Sequence, residues 1–222
     1  MVNESLDEQK LREYYDSIAE ERFNWVKKDR ASHVRHLRVS SEARKFIEEL
    51  ASKKPNEKIV VLDVGAGFGE ILAYLRSPNT YRVACDISQR ALEIAKRNVD
   101  DAVVCNAEAL PFHDNSIDLI LCVEVIEHVI NPANLLKEIK RVLRPRGKFI
   151  LTTPNADNKY YKHNKEHLHR FNRETLIKLI SEAGLKVTFL SSIKIRHWKW
   201  LVPLLSYEES ILIKGEKEER KP

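Results

Sequence analysis

One strand–turn–helix junction constrains this chain more than any other stretch. In VLDVGAGFGE, residues 61–70, an apolar run that begins at Ile59 ends on Asp63. Glycines then fall at 65, 67 and 69, and a helical pattern starts at Glu70. Glycine lets a backbone turn tightly and lets a ligand come close. The helix start behind such a turn offers free N–H groups. A second apolar strand, Tyr81–Cys85, runs into Asp86. An acidic residue about twenty positions after the turn accepts the hydroxyls of a ribose. The spacing is G-x-G-x-G rather than the G-x-G-x-x-G of dinucleotide sites, and no G-x-x-x-x-G-K-[ST] is present. The loop therefore predicts a nucleotide-like cofactor without a phosphate-cradling P-loop.

The rest of the chain follows the same alternation. Short strands apolar on both faces are read at Ile59–Leu62, Tyr81–Cys85, Val103–Cys105, Leu119–Val123 and Phe149–Leu151. Helical patterns lie between them at Glu70–Leu75, Gln89–Asn98 behind an N-cap at Ser88, and Pro132–Leu143 stopped by Pro145-Arg146-Gly147. Such strands imply a parallel sheet covered on both sides. Asn172 caps a further helix ending at Ala183, with Gly184 beyond it. Lys186–Ser191 and Ile211–Lys214 then read as two more strands joined by a long connection. Residues 5–53 read as two helices with a break near Ala31-Ser32. The predicted fold class is α/β: a doubly wound, Rossmann-like, mostly parallel seven-stranded sheet with an N-terminal helical extension. The expected divisions are a helical cap at 1–55, the α/β domain at 56–215 and a frayed charged tail at 216–222.

Bulk properties narrow the setting. The chain has 222 residues, 43% of them hydrophobic and 32% charged, enough for one core plus an extension. No run approaches the ~20 apolar residues of a membrane helix, and the N-terminus lacks a signal-peptide pattern, so a cytoplasmic location is expected. The net charge of +5 is compatible with an anionic partner. Lys and Glu dominate the charged residues while glutamine occurs only at Gln9 and Gln89, which leans towards a heat-adapted source. Cys85, Cys105 and Cys122 are odd in number and sit in apolar runs, so they are read as small core residues rather than a disulfide framework.

At this point the chain resembles a known family, the class I S-adenosylmethionine-dependent methyltransferases, in particular the methyltransferase type 11 group. The resemblance runs from Lys58 to Gly184 and rests on four motifs in family order: LDVGAGFGE, ACDIS, NAEALPFHDNSIDLILCVEVIEHV and RVLRPRGKFILTTPN. It implies S-adenosyl-L-methionine as cofactor and S-adenosyl-L-homocysteine as product. It places Asp63, Gly65, Ala66, Gly67 and Gly69 near the methionine part and Asp86 on the ribose. Ile87 would flank the adenine, with Ala107 and Glu108 at its rim. Many relatives have aspartate where Asn106 stands; its carbonyl oxygen still accepts from an exocyclic amine. Glu124 would also lie near the cofactor.

EVIEHV, residues 124–129, follows the fourth strand at the edge where a methyl donor would sit. His128 has the ordinary pKa of a general base, and Glu127 is the second catalytic candidate. A later stretch, HNKEHLHRFNRE at 163–174, holds His163, His167 and His169 and leaves the same sheet edge. Glu124, Glu127 and His128 with His167 or His169 make an oxygen and nitrogen set suited to Mg²⁺, Mn²⁺ or Zn²⁺. The pattern looks like that of ubiquinone-pathway O-methyltransferases and of small-RNA 2′-O-methyltransferases, where such a set holds an ion. It also looks like that of relatives without metal, and the reading adopted has none. For His163 solvent exposure is expected.

The ends are read as the selectors of substrate. Tyr14, Tyr15, Phe23 and Trp25 in the first helices either form a lid or pack onto the sheet, and packing is preferred for most of them. KIRHWKWLVPLL, 194–205, mixes cations with Trp198 and Trp200. It is read as a connection that helps shape an apolar acceptor pocket, ahead of a nucleic-acid or membrane surface. The predicted partner is a small-molecule acceptor methylated on oxygen or nitrogen. An RNA 2′-O-methyltransferase is the alternative. A non-catalytic scaffold has no physical need for the ribose acceptor Asp86. No pattern in the chain encodes its oligomeric state.

Overall fold

The structure is a computed structural model that describes residues 2–158, 166–196 and 207–219. Two long helices open the chain, α1 (Val2–Val26) and α2 (Arg30–Lys53). They part at Lys27–Asp29, earlier than Ala31-Ser32, because the Asp29 side chain accepts from Ser32 N and caps α2. Seven strands follow: β1 (Ile59–Val64), β2 (Thr80–Asp86), β3 (Asp101–Val104), β4 (Ile117–Val123), β5 (Leu143–Pro154), β6 (Lys186–Arg196) and β7 (Tyr207–Glu216). The short helices α3 (Glu70–Ala73) and α4 (Gln89–Ala95) cross between the first three strands. Helices α5 (Pro132–Val142) and α6 (Arg173–Glu182) follow β4 and β5.

The sheet order is β3-β2-β1-β4-β5-β7-β6. The first five strands run parallel, and β7 is antiparallel to both β5 and β6. The order reverses between β1 and β4, and a crevice for a ligand opens beyond the carboxyl ends of strands at such a point. Register brings the strand ends level: Val64 pairs with Cys85 on one side and Cys122 on the other.

Alternation along each strand divides the core. Leu62, Val64, Ile120 and Cys122 pack under Leu135, Leu136 and Ile139 of α5 and Leu176 and Ile180 of α6. Val61, Leu119 and Leu121 pack under Val39, Ala43 and Ile47 of α2, Leu72 of α3 and Leu92 of α4. Helix α5 begins at an Asn131 cap with Pro132 in its first turn, where the missing N–H costs nothing.

Three sequence expectations change. Pro145-Arg146-Gly147 does not stand apart as a helix stop; it lies inside β5, at a register shift opposite β4, with Arg146 at φ +64. The tail is tied as far as Glu219: Lys217 N donates to Gly147 O at 3.0 Å, and Arg146 pairs with Glu219 at 2.6 Å. Cys85 and Cys105 are joined in a disulfide, their Cα atoms 5.8 Å apart, while Cys122 is a free buried thiol. They meet because Cys85 stands opposite Val103 in the β2–β3 pair and Cys105 lies two residues further on, just past the end of β3. Among the described residues, no helix is long and apolar enough to cross a membrane.

Candidate functional site

The loop between β1 and α3 is built on glycines. Gly65 N and Ala66 N both donate to Cys85 O, at 2.8 and 3.1 Å, which folds the loop against the end of β2. Gly65 has φ +71, and a Cβ there would run into Val125. Gly67 has φ +51, but a Cβ there meets nothing within 4 Å. The first glycine is required by packing; the second faces open space.

Carboxylates frame this loop. Asp86 Oδ2 accepts from Gly67 N at 2.8 Å, and Oδ1 accepts from Ser88 N at 2.9 Å. Burial holds the Asp86 carboxyl above the usual range. Asp63 is fully buried, and burial with the nearby Asp86 and Glu70 pushes its carboxyl well up. Ile87 is half-buried beside Asp86, as are Asn106 and Ala107 beyond β3. Asn106 Oδ1 accepts from Glu108 N at 2.9 Å, closing a small turn. The Glu108 carboxylate accepts from Ile130 N at 2.8 Å, so it ties the rim after β3 to the loop after β4.

The loop after β4 carries the second group. Glu124 sits at φ +55, a left-handed position that non-glycine residues seldom take. Its carboxylate accepts from Thr152 Oγ1 at 2.8 Å and Ser210 Oγ at 3.4 Å, and lies 3.5 Å from Arg35. Glu127 is buried, with Oε2 accepting from Thr153 Oγ1 at 2.9 Å and Oε1 without a hydrogen-bond partner among the described residues. Burial, and then Glu124, push its carboxyl well above the ordinary range. His128 places Nδ1 3.0 Å from the Glu166 carbonyl. A carbonyl only accepts, so Nδ1 carries the proton and Nε2 keeps a lone pair. Burial and the neighbouring His167 hold this imidazole down to about 4, neutral at physiological pH. The His167 ring stands edge-on to it, 4.8 Å between centroids.

Glu127, His128 and His167 bring three ligand-type atoms within 4.8 Å of one another. Glu124 stands outside this group, held by Thr152 and Arg35. Spacing alone left His167 and His169 undecided. The His169 ring is used elsewhere, with Nε2 3.2 Å from Ile130 O. The Nδ1–carbonyl bond of His128 is also the outer bond that orients a metal-binding imidazole. The cluster is chemically suited to a divalent ion. His163, Lys165 and residues 197–205 lie outside the described residues, and of KIRHWKWLVPLL only Lys194–Arg196 is seen, as the end of β6.

Helix α1 lies across this whole edge. Phe23 packs edge-on against Phe68 of the glycine loop at 5.0 Å. Asp16 accepts from Ser88 Oγ at 2.7 Å and Arg90 N at 3.1 Å. Glu8 accepts from Asn106 Nδ2 at 3.2 Å. Tyr15 Oη stands 3.4 Å from His128 Nδ1, and burial pushes its phenol up to about 12. Phe23 and Tyr15 thus pack, but onto the site loops, while Tyr14 and Trp25 are exposed. Sequence reasoning missed Glu8, Asp16, Arg22, Arg35 and Glu166. Their signal is long-range pairing, which no local pattern carries.

With the geometry in place, comparison with known proteins identifies the family. A family model described as "Methyltransferase domain" matches residues 62–151. The chain is 30% identical, over 82% of its length and 78% of the relative's, to an uncharacterized protein of Methanocaldococcus jannaschii. It is 31% identical over 56% of its length to the malonyl-[acyl-carrier protein] O-methyltransferase of a Marinomonas species, and spans about half (52%) of that protein. A chain of the complex between the Haloferax volcanii Trm112 methyltransferase activator and its methyltransferase partner superposes with a TM-score of 0.70 at 21% identity, covering 95% of this chain and 99% of that one. The last likeness is one of fold. Glycine loop, strand order and family match agree, and the chain belongs to the class I S-adenosylmethionine-dependent methyltransferases.

Proposed function

We propose that this enzyme moves a methyl group from S-adenosylmethionine to an oxygen of a small-molecule acceptor, with His128 taking the proton. The observation that carries the reading is the His128 ring: neutral, with Nδ1–H committed to the Glu166 carbonyl and the Nε2 lone pair left over. In that state Nε2 can take the acceptor's proton, the ring becoming an imidazolium as the sulfonium loses its charge with the departing methyl group. The bound donor supplies a methyl on a sulfonium, already activated. The chain's task is to hold an acceptor in line and receive its proton. Asp86 would take the ribose hydroxyls, with Asp63 and the loop from Gly65 to Gly69 around the methionine part. Asn106, Ala107 and Ile87 would border the adenine. Glu127, its carboxyl pushed up by burial, would hydrogen-bond the acceptor through Oε1, which has no partner among the described residues. The O-methyltransferase activity named for the Marinomonas relative agrees with an oxygen acceptor.

A second reading is favoured by the convergence of Glu127, His128 and His167. In it Glu127, His128 and His167 would hold a divalent ion, which would acidify the acceptor hydroxyl. One assay set separates the readings. Chelator-treated protein is supplied with methyl-labelled S-adenosylmethionine and a panel of phenols, vicinal diols and amines, with and without Mg²⁺, Mn²⁺ or Zn²⁺. The first reading expects metal-independent labelling of a hydroxyl, and His128→Asn slower by roughly 100-fold or more with S-adenosylhomocysteine affinity kept. Labelling restored only by an ion, and lost in His167→Ala, selects the second. Labelling of amines alone, or a fully active His128→Asn, contradicts the assignment of His128.

A further inference from the structure

We propose that Glu166 is a positioning residue: it ties helix α1 to the imidazole of His128, so that seating α1 over the cleft also fixes which ring nitrogen of His128 is left for chemistry. The two halves of one residue do this. Its carboxylate is gripped by α1 at both oxygens, Oε1 accepting from Tyr14 Oη at 2.7 Å and Oε2 from Arg22 Nη1 at 3.2 Å. Its carbonyl accepts from His128 Nδ1 at 3.0 Å. Both groups hang from one Cα, so holding the carboxylate at both oxygens narrows where the carbonyl can stand.

The helix reaches the same ring from a second side. Tyr15, between the two gripping residues in sequence, stands 3.4 Å from His128 Nδ1, and the Arg22 guanidinium lies over the Tyr15 ring, 5.6 Å from its centroid. Tyr14, Tyr15 and Arg22 thus meet Glu166 and His128 as one cluster. The same helix meets the cofactor edge through Glu8 on Asn106, Asp16 on Ser88 and Phe23 on Phe68. The contacts at Asn106 and Ser88 border the groups expected to hold adenosine, so entry of the donor would be coupled to movement and reseating of α1. On reseating it would restore the Glu166 clamp and the Nδ1–H tautomer together. A base assembled only under a closed lid would keep the acceptor's proton transfer within the closed cleft. The consequence for catalysis rests on the reading of His128 above. The tie itself does not.

The test reads the ring directly. Nitrogen-15 histidine-labelled protein at neutral pH reports the His128 tautomer in long-range correlation spectra, the signal assigned by its absence from His128→Asn. Wild type is expected as the Nδ1–H form. The double variant Tyr14→Phe, Arg22→Met removes both grips without removing a hydrogen-bond partner of the ring. In it the His128 signal should move towards the Nε2–H form, and amides of residues 9–23 should exchange about tenfold faster or more, as expected when a docked helix loosens. Each Arg22→Lys and Tyr14→Phe single variant keeps one grip and should stay close to wild type. An unchanged thermal midpoint of the sheet domain controls for folding. An unchanged tautomer in the double variant overturns the proposal, as does unchanged exchange in α1. A failure of the His128 assignment would show instead as full transfer by His128→Asn, with the tautomer result unaffected.

Discussion

Gly65 and Gly67 look alike in the sequence and differ in the structure. Both occupy left-handed backbone, but a methyl at Gly65 strikes Val125 whereas one at Gly67 enters open space. Gly65→Ala combines left-handed strain with overpacking and should cost about 2–4 kcal/mol. Gly67→Ala carries the strain alone, about 1–2 kcal/mol, and should instead weaken S-adenosylhomocysteine binding about tenfold or more, a loss near 1.4 kcal/mol. Urea denaturation and calorimetry on the two variants read the two effects separately, and matching profiles would refute the distinction. The glycines, Asp63, Asp86 and the pair Glu127-His128 were legible because each depends on its place at a strand end. The tautomer of His128 was not, because it is set by the carbonyl of Glu166, far along the chain.

At the level of elements, the strands were readable from apolar runs, and their ends were less so. β5 runs from Leu143 to Pro154, well beyond the apolar Phe149–Leu151, because the tail supplies partners for Arg146 and Gly147 and β7 pairs with Lys148–Pro154. The Cys85–Cys105 bridge illustrates the same limit. An odd set of three cysteines gives no pairing, and only the adjacency of β2 and β3 selects these two. The bridge spans 20 residues and joins the positions immediately before Asp86 and Asn106. Cys105→Ala should lower unfolding free energy by about 3 kcal/mol if the loop-entropy account applies. A denaturation midpoint equal to wild type under non-reducing conditions would exclude a stabilising bridge. The seating of α1 on the sheet edge was the least legible feature. Its aromatic residues suggested packing, but the acidic Glu8 and Asp16 that seat it on the sheet edge carry no motif.

Across the whole molecule, stability should depend on pH through buried imidazoles. His36 is held down to about 4 by burial and then by Arg35, and His128 to about the same value. The unfolded chain protonates these rings below about 6.5, while the folded chain resists until about 4. The unfolded state therefore binds more protons in that window, and stability falls as pH drops through it. Asp63 and Glu127, with raised carboxyls, act in the opposite sense, so a difference measurement is needed. His36→Gln should lose less urea resistance than wild type between pH 6.5 and 4; parallel losses would contradict the burial argument.

The proposed function divides the sheet edge into a donor side at Asp86 and a chemical side at Glu127 and His128. Calorimetric titration of S-adenosylhomocysteine into wild type, Asp86→Ala and Glu127→Ala tests it most directly. Affinity should fall by roughly 10–100-fold in Asp86→Ala, as for loss of a charge-assisted hydrogen bond worth about 1.5–3 kcal/mol, and stay close to wild type in Glu127→Ala. Equal losses in the two variants would contradict it.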